Sequence, residues 1–165
     1  MNHLKRVYKF KIKYNLEKLK EEVFLIDKDP GKFINDGSRD EEDFIWFFNK
    51  KIPEDWEISK FIKDFNFDMS GISKLRPKYC FSFHFDYSPR IHLAIQTDNK
   101  NFFSFIDGKS YRIPADGHPY LINTTEEHTF CNASLNTIRY HVAGHPHFMW
   151  AWDSLRNMEI METYE

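Results

Sequence analysis

Two histidines, one aspartate and one arginine carry the chemistry that this chain could do. His84 and Asp86 flank Phe85, His128 lies far downstream, and Arg139 follows His128 by eleven residues. On an extended strand residues 84 and 86 point to the same face, so an imidazole and a carboxylate can reach one ion. Two imidazoles and one carboxylate can occupy one face of a ferrous ion and leave the other open for a co-substrate and dioxygen. Arg139, with its planar fork of donors, stands where such a site would grip a dicarboxylate. Taken singly, each histidine reads as a hydrogen-bonded side chain of a β core. Taken together, the set reads as a metal centre.

The surrounding spacing is specific. Ser73 precedes His84 by eleven residues, with Pro77 four residues after Ser73. Arg90-Ile91-His92-Leu93 follows the first triplet after a turn at Ser88-Pro89. Gly117 precedes His128 by eleven residues, and Asn132 follows it by four. With these motifs, residues 73–139 resemble the aspartyl/asparaginyl β-hydroxylase family of iron(II)- and 2-oxoglutarate-dependent oxygenases, and also the free-proline hydroxylases. Some β-hydroxylases have glycine where this chain has Asp86, which brings its site closer to the complete triad of the amino-acid hydroxylases. The family tends to carry an acidic residue just after the arginine strand, where this chain has Ala143-Gly144-His145.

The resemblance implies a set of roles. His84, Asp86 and His128 would hold Fe(II). 2-Oxoglutarate would chelate it through the 2-oxo and C1-carboxylate groups, with Arg90 and His92 near that carboxylate. Arg139, assisted by the Ser73 hydroxyl, would bind the C5 carboxylate by a charge-assisted bond. Oxidative decarboxylation to succinate would then supply the oxidant that hydroxylates an amino acid, or an amino-acid residue in a peptide. A carboxylate at 86 favours hydroxylation over halogenation, which needs that position for chloride. Asn132 is the candidate for substrate contact. A cupin-like metalloenzyme that does not use 2-oxoglutarate, and a non-catalytic binding or sensor module on the same scaffold, stand as alternatives.

The remaining candidates have plainer readings. His145-Pro-His147, with His141 nearby, lacks a fourth ligand and reads as exposed or substrate-rim histidines. His118 sits in the turn around Gly117 and reads as structural. Glu126 and Glu127 read as a charged loop, and the four tryptophans as core or rim packing.

The elements that must position these residues divide the chain by texture. Residues 6–14 alternate as a strand, and Asn15 can cap a helix with Leu16, Leu19, Val23 and Ile26 on one face. Asp29-Pro30-Gly31 reads as a turn. Ser38-Arg-Asp-Glu41 is a capping-box pattern before the run 44–48 and predicts a second helix over 39–51, with a shorter helical stretch from Asp55 to Phe65. From Ile72 the pattern becomes short strands at 79–85, 90–96, 102–106, 110–113, 120–122, 128–131 and 137–142, and a terminal helix is expected over 149–165. Such spacing predicts a mainly β double-stranded β-helix, a cupin-like jelly roll. The expected organisation is one oxygenase domain over 1–165, with a helical buttress at 1–70 and the jelly-roll core at 72–142.

Composition narrows the classes. A chain of 165 residues suits a single core, and a formal net charge of -2 gives no basic stripe of the nucleic-acid kind. Lys9, Lys11 and Lys13 alternate with apolar residues and read as the solvated face of a strand. Seventeen phenylalanines in a chain of mean hydropathy -0.63 suggest a core filled by aromatics. Cys80 and Cys131 are far apart in sequence and fit reduced thiols in a cytoplasmic protein. A signal-peptide-like stretch and a membrane span are not expected.

Overall fold

The computed structural model describes residues 6–33, 39–40, 44–47, 51–147 and 160–163. Among the described residues, twelve strands form two antiparallel sheets. In chain order they are β1 (Val7–Phe10), β2 (Arg39–Asp40), β3 (Phe44–Trp46), β4 (Phe67–Leu75), β5 (Tyr79–Cys80), β6 (Arg90–Gln96), β7 (Asn101–Phe105), β8 (Ser110–Tyr111), β9 (Pro119–Ile122), β10 (His128–Asn132), β11 (Arg139–Pro146) and β12 (Ile160–Thr163). The larger sheet runs β12-β1-β9-β6-β11-β4-β3-β2, and the smaller runs β5-β10-β7-β8. This is the mainly β jelly-roll arrangement expected from the strand spacing.

Period-2 alternation gives the larger sheet two apolar faces. Ile91, Leu93 and Ile95 of β6, Leu121 of β9 and Val142 of β11 face the helices. Ala94 of β6, with Tyr120 and Ile122 of β9, faces the smaller sheet, where Phe103, Phe105 and Phe130 complete a second core. His92, Arg139 and His141 lie on this second face, between the sheets.

Among the described residues, three helices cover the outer face: α1 (Leu16–Lys28), α2 (Pro30–Phe33) and α3 (Glu57–Asp64). Asn15 caps α1, its side chain accepting from the Lys18 N–H, and Leu19, Val23 and Ile26 are buried as the 3.6 period requires. Trp56 offers α3 no side-chain cap. Glu22 of α1 supplies one instead, its carboxylate accepting from the Glu57 and Ile58 N–H groups at 2.9 and 3.0 Å. That contact fastens α3 to α1 and meets two of the orphan donors of the helix end. The Asp29-Pro30-Gly31 turn opens directly into α2, with proline at its first position.

Where they are described, two expected helices contain strands instead. Within 39–51, β3 lies along β4 with Ile45 opposite Ile72, and β2 pairs with β3. The run 44–48 is β-branched and aromatic, and the edge of β4 offers it a ladder, so sheet pairing overrides the local capping pattern. Ile45 and Phe47 are buried at period 2. Ser38 and Glu41, the ends of that capping pattern, lie outside the described residues. Within 149–165, Ile160–Thr163 is β12, paired antiparallel with β1, and residues 149–159 lie outside the described residues. Among the described residues no helix is long and apolar enough to cross a membrane.

Candidate metal centre

His84, Asp86 and His128 converge in the fold. One ligand atom from each lies within 4.8 Å of the other two. Backbone pairing creates this convergence. The His84 N–H donates to the His128 carbonyl at 2.9 Å and the His128 N–H to the His84 carbonyl at 2.8 Å. Two residues on, the Asp86 N–H donates to the Thr124 carbonyl at 2.8 Å, and the Thr124 hydroxyl donates to the Ser88 carbonyl. The segment carrying the first two ligands is thus laced to the segment leading to the third. The expected strand over 79–85 is β5 followed by this single bridge at His84.

Hydrogen bonds also set the tautomers. His84 Nδ1 lies 2.8 Å from the Ser82 carbonyl oxygen, and His128 Nδ1 lies 2.9 Å from that of Glu126. A carbonyl only accepts, so both protons sit on Nδ1 and each Nε2 presents a lone pair. Burial pulls the His128 imidazole below its ordinary pKa, which keeps it in the neutral form a ligand requires. Asp86 Oδ2 is buried without a hydrogen bond among the described residues, 3.2 Å from Arg90 Nη2. Two imidazole lone pairs and a carboxylate oxygen left for a cation fit a divalent transition metal.

A second cluster lies deeper. Arg139 is fully buried, its Nη2 donating to Ser73 Oγ at 2.6 Å and its Nη1 to His141 Nδ1 at 3.2 Å. Its guanidinium carbon is 3.3 Å from the centre of the Phe130 ring. His141 Nδ1 also lies 3.3 Å from His92 Nδ1. As His141 Nδ1 accepts from Arg139, its proton is on Nε2, and the Nε2 atoms of His92 and His141 are both buried without a hydrogen bond among the described residues. Burial, reinforced by neighbouring arginines, holds both imidazoles well below the usual histidine range. Stacked Phe103 and Phe130, 3.9 Å apart, bridge the clusters: Phe103 packs on His128 and His92, and Phe130 on His92 and His141.

The register explains why these residues meet. Ser73 of β4 stands opposite His141 of β11, and His92 of β6 opposite Ala143. Residues 139, 141, 143 and 145 of β11 share the inner face, while Tyr140 and Val142 face the helices, as the sequence alternation predicts. Gly117 has a backbone reason for its place. Its φ is +83°, and a Cβ there would stand 2.8 Å from the Tyr14 carbonyl oxygen, in the turn that leads from β8 into β9.

Several sequence expectations need correction. Asn132 is fully buried; its amide donates to the Leu75 and Thr137 carbonyls, both at 2.9 Å, and its Oδ1 accepts from the Ser134 N–H. Its side-chain polar groups are taken up by backbone at strand ends. His141 and His145 are buried rather than exposed or on a rim. Extending the alternation from Arg139 would have placed both inside. His145 Nδ1 lies 2.8 Å from Ser88 Oγ, its Nε2 accepts from Arg90 Nε at 3.1 Å, and Tyr87 stacks on its ring. Arg90 therefore links His145 to Asp86, and burial beside Arg90 pulls His145 down to about 4. His147 is exposed, and His118 is fixed by the Phe10 and Ile12 carbonyls, as expected of a structural residue.

No protein-family model matches the chain, and no curated protein matches it. Among solved structures, a prolyl-4-hydroxylase from Pseudomonas putida aligns over 87% of this chain and 92% of its own, with a TM-score of 0.60 at 10% identity. Protein NMB1881 from Neisseria meningitidis aligns over 47% and 72%, with a TM-score of 0.36 at 19% identity, too partial a likeness to bear on the fold. At the level of architecture, the chain has the fold of the Pseudomonas putida prolyl-4-hydroxylase, with a His-Asp-His cluster.

Proposed function

We propose that the protein is an iron(II)- and 2-oxoglutarate-dependent oxygenase that hydroxylates an amino acid or an amino-acid residue in a peptide. The observation that carries this reading is the convergence of His84, Asp86 and His128, with both histidine Nδ1 atoms bonded to backbone carbonyls and both Nε2 atoms left to a metal. The prolyl-4-hydroxylase fold and the motifs shared with the aspartyl/asparaginyl β-hydroxylases and free-proline hydroxylases support it. Proline, free or in a peptide, is the first substrate class to screen.

His84, Asp86 and His128 would hold Fe(II), which when bound supplies oxygen activation coupled to decarboxylation of 2-oxoglutarate to succinate. The protein's own groups bind and orient. Arg139 supplies a buried permanent cation for the distal carboxylate, and the Ser73 hydroxyl, which accepts from Arg139, keeps its own proton to donate. The Nε2–H of His141 is a further donor in the same cluster. Arg90, against Asp86, would lie toward the C1 carboxylate of the co-substrate, and His92, against His141, between it and the Arg139 cluster. Arg90 also orients Asp86, and His145 orients Arg90.

The buried Arg139–Ser73 pair favours this reading over a cupin-like metalloenzyme without 2-oxoglutarate, which needs no cation for a distal carboxylate. The test is an anaerobic visible spectrum of the metal-free protein with Fe(II), before and after 2-oxoglutarate. A charge-transfer band that needs both additions and disappears in His128→Ala is expected. Iron binding without the band would leave the cupin reading, and no iron binding would overturn the enzyme reading.

A further inference from the structure

Cys80 and Cys131 are distant in sequence but directly opposed in the fold. They are register partners in the antiparallel pair β5·β10 at the edge of the smaller sheet. Opposed residues on neighbouring antiparallel strands have Cβ atoms about 4.5–5.5 Å apart, within a small adjustment of the roughly 3.5–4.5 Å of a disulfide. Cys80 is exposed and Cys131 buried, and both are free thiols. The two side chains interact: burial, then the Cys80 thiol, pushes Cys131 up to about 12.

The position of this pair matters. Cys131 is three residues from His128 on β10, and Cys80 is four residues before His84. Between the thiols and the metal centre, the two segments are joined by the Phe81 N–H to the Phe130 carbonyl, the Thr129 hydroxyl to the Phe81 carbonyl, and the His84–His128 bridge. The segment carrying His84 and Asp86 hangs from β10 by these few bonds.

We propose that Cys80 and Cys131 form a reversible intramolecular disulfide that clamps the His84–Asp86 segment to the strand carrying His128. With a peroxide as oxidant, the exposed Cys80 thiolate attacks oxygen, giving a sulfenic acid and, with one proton, water. Cys131 sulfur then attacks Cys80 sulfur; its proton leaves with the departing hydroxyl as a second water, and the S–S bond forms. Overall two thiols lose two electrons and two protons to one peroxide. A dithiol reductant reverses the step. Clamping bears on metal retention only if the metal reading holds, whereas disulfide formation does not depend on it.

The test uses the metal-free full chain, treated with hydrogen peroxide or with dithiothreitol. Intact mass should fall by two hydrogens on oxidation, alkylatable thiols under denaturing conditions should fall from two to none, and non-reducing digestion should give a Cys80–Cys131 cross-linked peptide. Amide exchange at Phe81 and His84 should slow at least tenfold in the oxidised form and return on reduction. Cys80→Ser should abolish both changes. Two thiols that remain alkylatable, oxidation only to an intermolecular dimer, or unchanged exchange after oxidation would each overturn the proposal. Iron binding by the same protein then reports on the metal reading separately.

Discussion

Under the proposed function, Arg139 is the residue on which the choice of co-substrate turns. Its guanidinium is held by Ser73 and His141 and lies against Phe130, so it cannot swing to another partner without moving three strands. Removing one partner of a buried charge-assisted pair costs about 2–5 kcal/mol, so Arg139→Met should weaken 2-oxoglutarate binding by about two orders of magnitude or more while Fe(II) affinity stays unchanged. Titrating 2-oxoglutarate into the anaerobic iron-loaded variant measures this; a Kd within a factor of three of the parent would remove Arg139 from the co-substrate site. Asn132→Ala has the opposite profile. It removes three bonds to backbone and leaves two carbonyls short of a donor, a loss of about 2–3 kcal/mol in urea unfolding. Turnover per folded molecule should persist, and a selective rise in substrate KM would restore Asn132 as a substrate contact. At this scale the convergence of His84, Asp86 and His128 was legible in the sequence because residue type and the spacing of the surrounding motifs single them out. Asn132 and His145 were not, since their partners, Leu75, Thr137, Ser88 and Arg90, are brought to them only by strand pairing.

At the scale of elements, β11 is the centre of the construction, flanked by β4 and β6 and carrying Arg139, His141 and His145 on one face. Gly144 allows its other face to meet the helices. A Cβ there would stand 2.6 Å from the Phe67 ring, which packs edge-on to Phe61 and stacks on Phe65. Gly144→Ala should therefore overpack the layer and lower stability by about 1–3 kcal/mol. Phe67→Leu should recover part of that loss in the double variant, a coupling that a urea double-mutant cycle would read. If the two effects simply add, the close approach is not what Gly144 permits. β4 (Phe67–Leu75) was not among the expected strands, whereas elements from β5 to β11 followed from period-2 alternation and turn residues, and α1 from its cap. The strands over 39–46 did not, because a short aromatic, β-branched run has no period of its own and takes its form from the edge of β4. The pairing of β12 with β1 joins distant ends of the chain and leaves no local mark.

Over the whole molecule, the space between the sheets holds neutral imidazoles beside permanent cations. Burial, with Arg90 and Arg139 adding to it, depresses His92, His141 and His145, whereas the unfolded chain would titrate them near 6.5. Below that value the unfolded chain takes up protons that the native state refuses, so unfolding free energy must fall as pH falls. The loss begins as pH drops through 6.5 and continues toward each folded pKa, about 4 for His145. Each imidazole contributes up to about 1.4 kcal/mol per pH unit across that window. His128 acts in the same direction, while Glu22, whose burial raises its pKa, acts in the other. Urea unfolding of the chelated protein at pH 7.5, 6.5 and 5.5 should show a small change over the first interval and a steep loss over the second. His141→Gln should remove close to one proton from that slope, because glutamine keeps a side-chain amide beside Arg139 but cannot be charged. A flat profile in the parent would mean that the inner histidines are reached by water and protonated in the native state. The pocket around Arg139 would then lack the dry surroundings that give a single arginine its hold on a carboxylate.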